Sequence, residues 1–280
     1  MSTRFQYVES VYLSEVGLVR QNNEDSFCAL PEDGFWAVAD GMGGGEFGEV
    51  ASQCVVDALQ RNLQDSADFS PGDRKYTVQQ CIHEANVKIR EYAKRKSLQS
   101  IGTTLVILQL DSWDSSLARV CHIGDSRLYC YRSGELFCMT ADHTLLAENA
   151  ARKKSGKVKL DERFSGILTR AVGISDCIMP EWNEITVYPE DIFLLCSDGV
   201  SSVIKEAQMA ACFHDNHTPS EIVSALKSAV LSAGARDNFT MICCRIGRIL
   251  PVKITPSAEE IEESDYLLKI SENRVDHAKR

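Results

Sequence analysis

Long apolar runs are missing from this 280-residue chain. None approaches the ~18 residues that a membrane span needs, and the opening Met1-Ser-Thr-Arg-Phe-Gln-Tyr-Val-Glu9 lacks the apolar core of a signal peptide. Neither membrane insertion nor secretion is expected. Paired cysteines are missing too. The eleven cysteines are odd in number and irregularly spaced, with no C-x-x-C pair, which argues against a disulfide framework and a thiolate zinc site. Several fall inside apolar runs such as Leu194-Leu195-Cys196 and Ile242-Cys243-Cys244, where cysteine behaves as a small buried hydrophobe. A reducing cytosol is the compartment expected from this usage. Basic charge is in short supply: 30 Lys and Arg stand against 40 Asp and Glu, a formal charge of −10 and a pI near 5.2. Such a surface repels the nucleic-acid backbone and anionic lipid, so neither is an expected partner. No internal repeat or low-complexity segment appears.

What the chain does have is 44% hydrophobic content in an ordinary globular mixture. Strand-like segments recur at Tyr7–Ser14, Ser26–Leu30, Phe35–Asp40, Thr103–Leu110, Leu117–Ile123, Arg127–Tyr131, Leu136–Thr140, Glu184–Tyr188, Asp191–Cys196 and Asn238–Ile246. Helical periodicity marks Glu46–Leu63, Tyr76–Arg95 and Pro219–Ser232, with weaker helices near Leu145–Lys153 and Ser202–Phe213. This is many strands on short turns with helices in pairs, not a regular β-α alternation. It favours an α+β architecture in layers, sheet on sheet with helices outside. No interior linker is visible, so one domain is expected over about residues 1–250, followed by a charged tail at 251–280.

The chemistry concentrates where aspartate ends an apolar strand and glycine or a small polar residue follows. Val38-Ala39-Asp40-Gly41, Ile123-Gly124-Asp125-Ser126 and Leu195-Cys196-Ser197-Asp198-Gly199 share this grammar, and Ala235-Arg236-Asp237-Asn238 precedes a strand. Any one of these reads by itself as a turn. Carboxylates converging from several strand ends would repel each other unless cations sat between them. An oxygen-only donor set suits Mg²⁺ or Mn²⁺ rather than zinc. Arg20, four residues ahead of Glu24-Asp25, could clamp a phosphate beside such a site.

In order along the chain stand Arg20-x-x-Asn23-Glu24-Asp25, Ala39-Asp40-Gly41-Met42-Gly43-Gly44, Gly102-Thr103-Thr104, Gly124-Asp125-Ser126-Arg127, Leu168-Thr169-Arg170-Ala171-x-Gly173, Ser197-Asp198-Gly199 and Asp237-Asn238. This set resembles the metal-dependent Ser/Thr protein phosphatases of the 2C type in their compact bacterial form, over roughly Phe5 to Gly247. The resemblance implies a four-layer α-β-β-α sandwich, two mainly antiparallel sheets flanked by helix pairs, with a binuclear Mn²⁺ or Mg²⁺ site at one end. It implies that Asp40 bridges the two ions, that the Gly41 carbonyl serves one, and that Asp198 and Asp237 serve the other. Glu24 and Asp25 would hold metal-bound waters, Asp125 with Asp198 would serve a third ion, and Arg20 would bind the substrate phosphate. A metal-bridging water or hydroxide would then attack phosphorus in line. Met42 stands where animal relatives often carry a histidine, so protonation of the leaving alkoxide would fall to metal-bound water. The implied substrates are phosphoserine and phosphothreonine proteins, the implied counterpart is a Ser/Thr kinase, and the chain is expected to act as a cytoplasmic monomer. A silent phosphoprotein-binding relative is the alternative, and the complete set of acidic ligands disfavours it.

Three other motifs compete. Gly43-Gly44-Gly45-Glu46-Phe47-Gly48 satisfies G-x-G-x-x-G, but a strand ending in an acidic ribose ligand should follow its helix, and Glu46 would oppose a pyrophosphate. Cys121 and Arg127 fit C-x₅-R, yet Asp125 inside that loop opposes a dianion and Cys121 lies in an apolar strand. His143 reads as structural, and the remaining histidines show no metal-ligand spacing. The basic run Ala151-Arg152-Lys153-Lys154-Ser155-Gly156-Lys157-Val158-Lys159 reads as a solvated loop, or as an attractor for acidic substrate segments.

Overall fold

The computed structural model describes residues 8–43, 47–64, 71–98, 100–111, 116–151, 166–216 and 218–247. The expected tail and most of the basic run therefore lie outside the described residues. In chain order the elements are β1 (Val8–Glu15), β2 (Asp25–Leu30), β3 (Phe35–Met42), α1 (Phe47–Gln64), α2 (Pro71–Arg95), β4 (Gly102–Thr103), β5 (Leu105–Leu110), β6 (Leu117–Ile123), β7 (Arg127–Arg132) and β8 (Glu135–Cys138). Then follow α3 (Leu145–Ala151), β9 (Glu181–Thr186), β10 (Ile192–Cys196), α4 (Asp198–Ser201), α5 (Glu206–His214), α6 (Pro219–Ser232) and β11 (Phe239–Ile246). One sheet runs β1-β11-β10-β7-β8 and the other β2-β3-β5-β6-β9, with β4 paired to β3. Every pairing is antiparallel.

Both faces of each central strand are covered, and the period of two sorts their side chains into separate cores. In β3, Phe35, Ala37 and Ala39 pack under α1 and α2, while Trp36 and Val38 pack between the sheets. In β10, Ile192, Leu194 and Cys196 face α5 and α6, and Phe193 and Leu195 meet the other sheet. The expected α-β-β-α layering is what forms. The outer helices join it through narrow apolar stripes. Ala51, Val55, Leu59 and Leu63 of α1 are all fully buried at a spacing of four, one face of a 3.6-residue period. Truncating Leu59 to alanine would cost about 2–5 kcal/mol by opening a cavity there. Helix α6 starts at a capping box, in which the Thr218 hydroxyl accepts from the Glu221 N–H and the Glu221 carboxylate from the Thr218 N–H.

Three expected boundaries move by three residues or more, the first being that of α2, which begins at Pro71 and not at Tyr76. The strand expected at Glu184–Tyr188 is Glu181–Thr186, because pairing with β6 sets its register through Cys121↔Trp182 and His122↔Glu181. The helix expected at Ser202–Phe213 is Glu206–His214, with the single turn α4 preceding it. The helix after the G-x-G-x-x-G motif leads into α2 rather than into a strand, which removes the dinucleotide-binding reading.

Candidate active site

The alternation that sorts the cores also delivers the carboxylates. On β3 the face carrying Trp36 and Val38 continues to Asp40, so the side chain that ends the inter-sheet stripe is an acid. Strand β2 pairs alongside with Asp25 opposite Asp40. Asp40 is fixed by its backbone: its N–H donates to Thr104 Oγ1 at 3.0 Å. Its carbonyl accepts from the Thr104 N–H at 2.8 Å and from Thr103 Oγ1 at 2.9 Å. Gly41 must be glycine, since a Cβ there would lie 2.1 Å from the Gly48 carbonyl and 2.6 Å from that of Glu24. From the second sheet, β10 ends into Asp198, and Asp237 stands two residues before β11.

Seven of the eight sequence-predicted residues line one cavity of about 330 Å³: Arg20, Glu24, Asp40, Gly41, Asp125, Asp198 and Asp237. The eighth, Asp25, lies behind them, buried, with Oδ2 accepting from Ser197 Oγ at 2.8 Å. The Arg20 guanidinium donates to Asp237 Oδ2 at 2.8 Å and stands 3.7 Å from Glu24 Oε2. Among the described residues lining the cavity it is the one cation.

The electrostatics follow from that imbalance. Burial pushes Asp25 up to about 7, reinforced by the charges of Asp198 and Asp237. Asp125 is likewise pushed up to about 7, by burial first and then by Asp198 and Asp142. Asp40 rises well above its ordinary value through burial and four neighbouring aspartates, and burial raises Asp198 and Glu24 as well. Two buried oxygens, Glu24 Oε1 and Asp25 Oδ1, have no hydrogen-bond partner. A crowded, oxygen-only donor set with two buried oxygens left unmatched fits hard divalent cations. Asp40, Gly41, Asp198 and Asp237, which line the cavity together, could hold them.

Sequence reasoning missed the latch that holds the two sheets in register at this end. Ser197 Oγ accepts from the Thr240 N–H at 3.0 Å while donating to Asp25. Asn238 accepts from the Glu24 N–H at 2.9 Å and donates to the carbonyls of Val16 at 2.9 Å and Asn22 at 2.8 Å. One asparagine thus ties β11 to the loop carrying Arg20 and Glu24. Its place in the Asp237-Asn238 pair was the only signal available.

The competing motifs resolve. Cys121 is fully buried in β6 and burial pushes its thiol far up, while Arg127 is held in a fork by Asp142 at 2.8 and 2.7 Å. The fold does bring ligand atoms of His122, His143 and Glu181 within 4.8 Å of one another, a proximity that spacing along the chain does not show. The chemistry still opposes an ion there. The two rings stack at 12°, His143 Nδ1 accepts from the Gly124 N–H at 3.1 Å, and Arg170 Nη1 stands 3.2 Å from its Nε2. His143 is the structural residue expected, buttressing the glycine before Asp125 and leaning on Glu181 at 3.2 Å.

A family model described as protein phosphatase 2C matches residues 17–232. The serine/threonine phosphatase stp of Listeria innocua is 28% identical over 240 residues, which is 82% of this chain and 93% of that protein. The serine/threonine protein phosphatase PstP of Mycobacterium tuberculosis is 32% identical over 234 residues, 82% of this chain and 43% of the relative. Among solved structures, the catalytic domain of PstP in complex with two manganese ions superposes with a TM-score of 0.74 at 29% identity, covering 86% of this chain and 99% of that one. PppA of Pseudomonas aeruginosa does so with a TM-score of 0.76 at 31% identity, covering 86% and 98%.

Proposed function

The chain belongs to the protein phosphatase 2C family, and from that premise and its buried carboxylate ring we infer a manganese- or magnesium-dependent protein serine/threonine phosphatase with a defined division of labour. The observation that carries the reading is the cluster of buried carboxylates around one arginine, in which Asp25 and Asp40 are raised and one oxygen each of Glu24 and Asp25 lacks a hydrogen-bond partner. The two ions would be held by Asp40, the Gly41 carbonyl, Asp198 and Asp237, which line the cavity together. Asp125 is assigned to a third ion shared with Asp198. Bound divalent ions neutralise the phosphate and acidify a water to serve as nucleophile.

The protein's own groups do the rest. Arg20 presents a planar fork of N–H donors at the cavity edge, matched to two phosphate oxygens. Glu24 and Asp25 orient water by their free carboxylate oxygens. Asp25 is in turn held by Ser197, so its free oxygen has a fixed direction. A cysteinyl-phosphate route has no nucleophile at this site, since Cys121 is buried in β6 and no cysteine is among the described residues lining the cavity. The substrates are phosphoproteins and the counterpart a Ser/Thr kinase; no helix among the described residues is long and apolar enough to cross a membrane. We place the enzyme in the cytoplasm as a monomer, with its catalytic domain over residues 1–250.

The test is hydrolysis of p-nitrophenyl phosphate and a phosphothreonine peptide with Mn²⁺ and then with EDTA. Turnover that needs the metal and is lost in Asp40→Asn but kept in Cys121→Ser establishes the reading. Phosphopeptide binding without turnover in Mn²⁺ would replace it with the silent, binding-only alternative.

A further inference from the structure

The rim of the cavity differs in kind from its acidic interior. Leu18 and Val19, immediately before Arg20, are 66% and 65% exposed, and Ile167, between the cavity-lining Gly166 and Leu168, is 46% exposed. Isolated apolar side chains on a surface are ordinary. These three are set apart by being held next to the cavity by backbone that cannot readily turn them inward. The Leu18 N–H donates to the Ala235 carbonyl at 2.8 Å. Gly17, at φ 81°, packs so closely that a Cβ would lie 2.3 Å from the Asp237 carbonyl. The Ile167 carbonyl accepts from the Leu145 N–H at 2.9 Å, and Leu145 is itself exposed. The loop that carries Arg20 and the segment that lines the cavity at Gly166 and Leu168 therefore each hold apolar residues in solvent on hydrogen-bonded backbone.

A phosphorylated side chain entering the cavity brings its neighbours in the sequence to this rim, at about 3.3 Å per extended residue. The interior carboxylates repel acidic neighbours, while the rim offers burial to apolar ones. We propose that Leu18, Val19 and Ile167 form a selectivity rim for phosphorylated segments with aliphatic or aromatic side chains within two or three residues of the phosphoserine or phosphothreonine. This rests on the phosphatase reading above and names its substrate class.

The experiment compares kcat/KM on three probes: a phosphothreonine peptide with leucine and valine flanks, the same peptide with serine and glycine flanks, and p-nitrophenyl phosphate. The wild-type protein with Mn²⁺ should prefer the apolar-flanked peptide about tenfold, the scale of burying one aliphatic side chain. The double variant Leu18→Ser, Val19→Ser and the single variant Ile167→Ser should each erode that preference. Both should leave p-nitrophenyl phosphate and the polar-flanked peptide within about twofold of wild type. Equal rates on the two peptides in the wild type, or equal losses on all three probes in the variants, overturn the rim. So does unchanged selectivity with a loss of self-association, which would make the rim a contact between copies. Failure of the wild type on every phosphate ester would sink the phosphatase reading instead.

Discussion

Asp25→Asn should stabilise the metal-free protein at pH 8 and change it little at pH 4. Asp25 is 7% exposed, and its carboxyl sits at about 7 in place of 3.8. The folded state thus holds the Asp25 proton more tightly than the unfolded chain, and between pH 4 and 7 it carries more bound protons. Stability must fall as pH rises through that window, and above about 7 the whole penalty is present. Some three decades in proton affinity, at ~1.4 kcal/mol per decade, put the cost of the buried charge on the order of 4 kcal/mol. Asn carries no charge, so the window closes, and its carbonyl oxygen can still accept from Ser197 Oγ, now 2.8 Å from Oδ2. Urea unfolding after EDTA treatment, followed by tryptophan fluorescence at pH 4, 5.5 and 8, gives the difference between the two proteins directly. It should grow from near zero to about 2–4 kcal/mol in favour of the variant. Mn²⁺ at 100 times its dissociation constant should return about 2.7 kcal/mol to the wild type at pH 8. A difference that stays constant with pH, or that favours the wild type at pH 8, would refute the argument that the cost of a buried charge, increased by its acidic neighbours, is what a cation relieves.

Three further outcomes follow from the same geometry. Asp125→Ala should lower turnover about 10- to 100-fold while titration calorimetry still finds two Mn²⁺ sites; loss of those sites would move Asp125 into the two-ion core. Arg20→Ala removes the charged fork at the cavity edge and should raise KM for p-nitrophenyl phosphate about 10- to 100-fold, with kcat changed far less; an unchanged KM would place the phosphate elsewhere. Gly199→Ala would set a Cβ 1.9 Å from the Asn238 carbonyl and should cost about 3 kcal/mol or more. A wild-type melting temperature in that variant would contradict the close approach of α4 to β11.

Much of the molecule was legible locally. The unbroken apolar runs in Phe35–Asp40 and Asp191–Cys196 announce strands covered on both faces. The spacing of four in Ala51, Val55, Leu59 and Leu63 announces α1. The ligands were readable because strand ends and glycines are neighbours in sequence, so Asp40-Gly41 and Ser197-Asp198-Gly199 carry their local geometry with them.

What the sequence by itself determined, then, is which segments extend, which coil, and which acids stand at their ends, since those depend on neighbours one to four residues away. Only the tertiary structure decided the rest. Ser197 reaches Asp25 across 172 positions, Asn238 reaches Glu24 across 214, and His143 meets Glu181 across 38. The register of β9 came from its partner β6 and not from its own residues. Partners so distant are selected by sheet pairing and by the cost of leaving a buried polar group unmatched. That choice exists only once the two sheets have closed on each other.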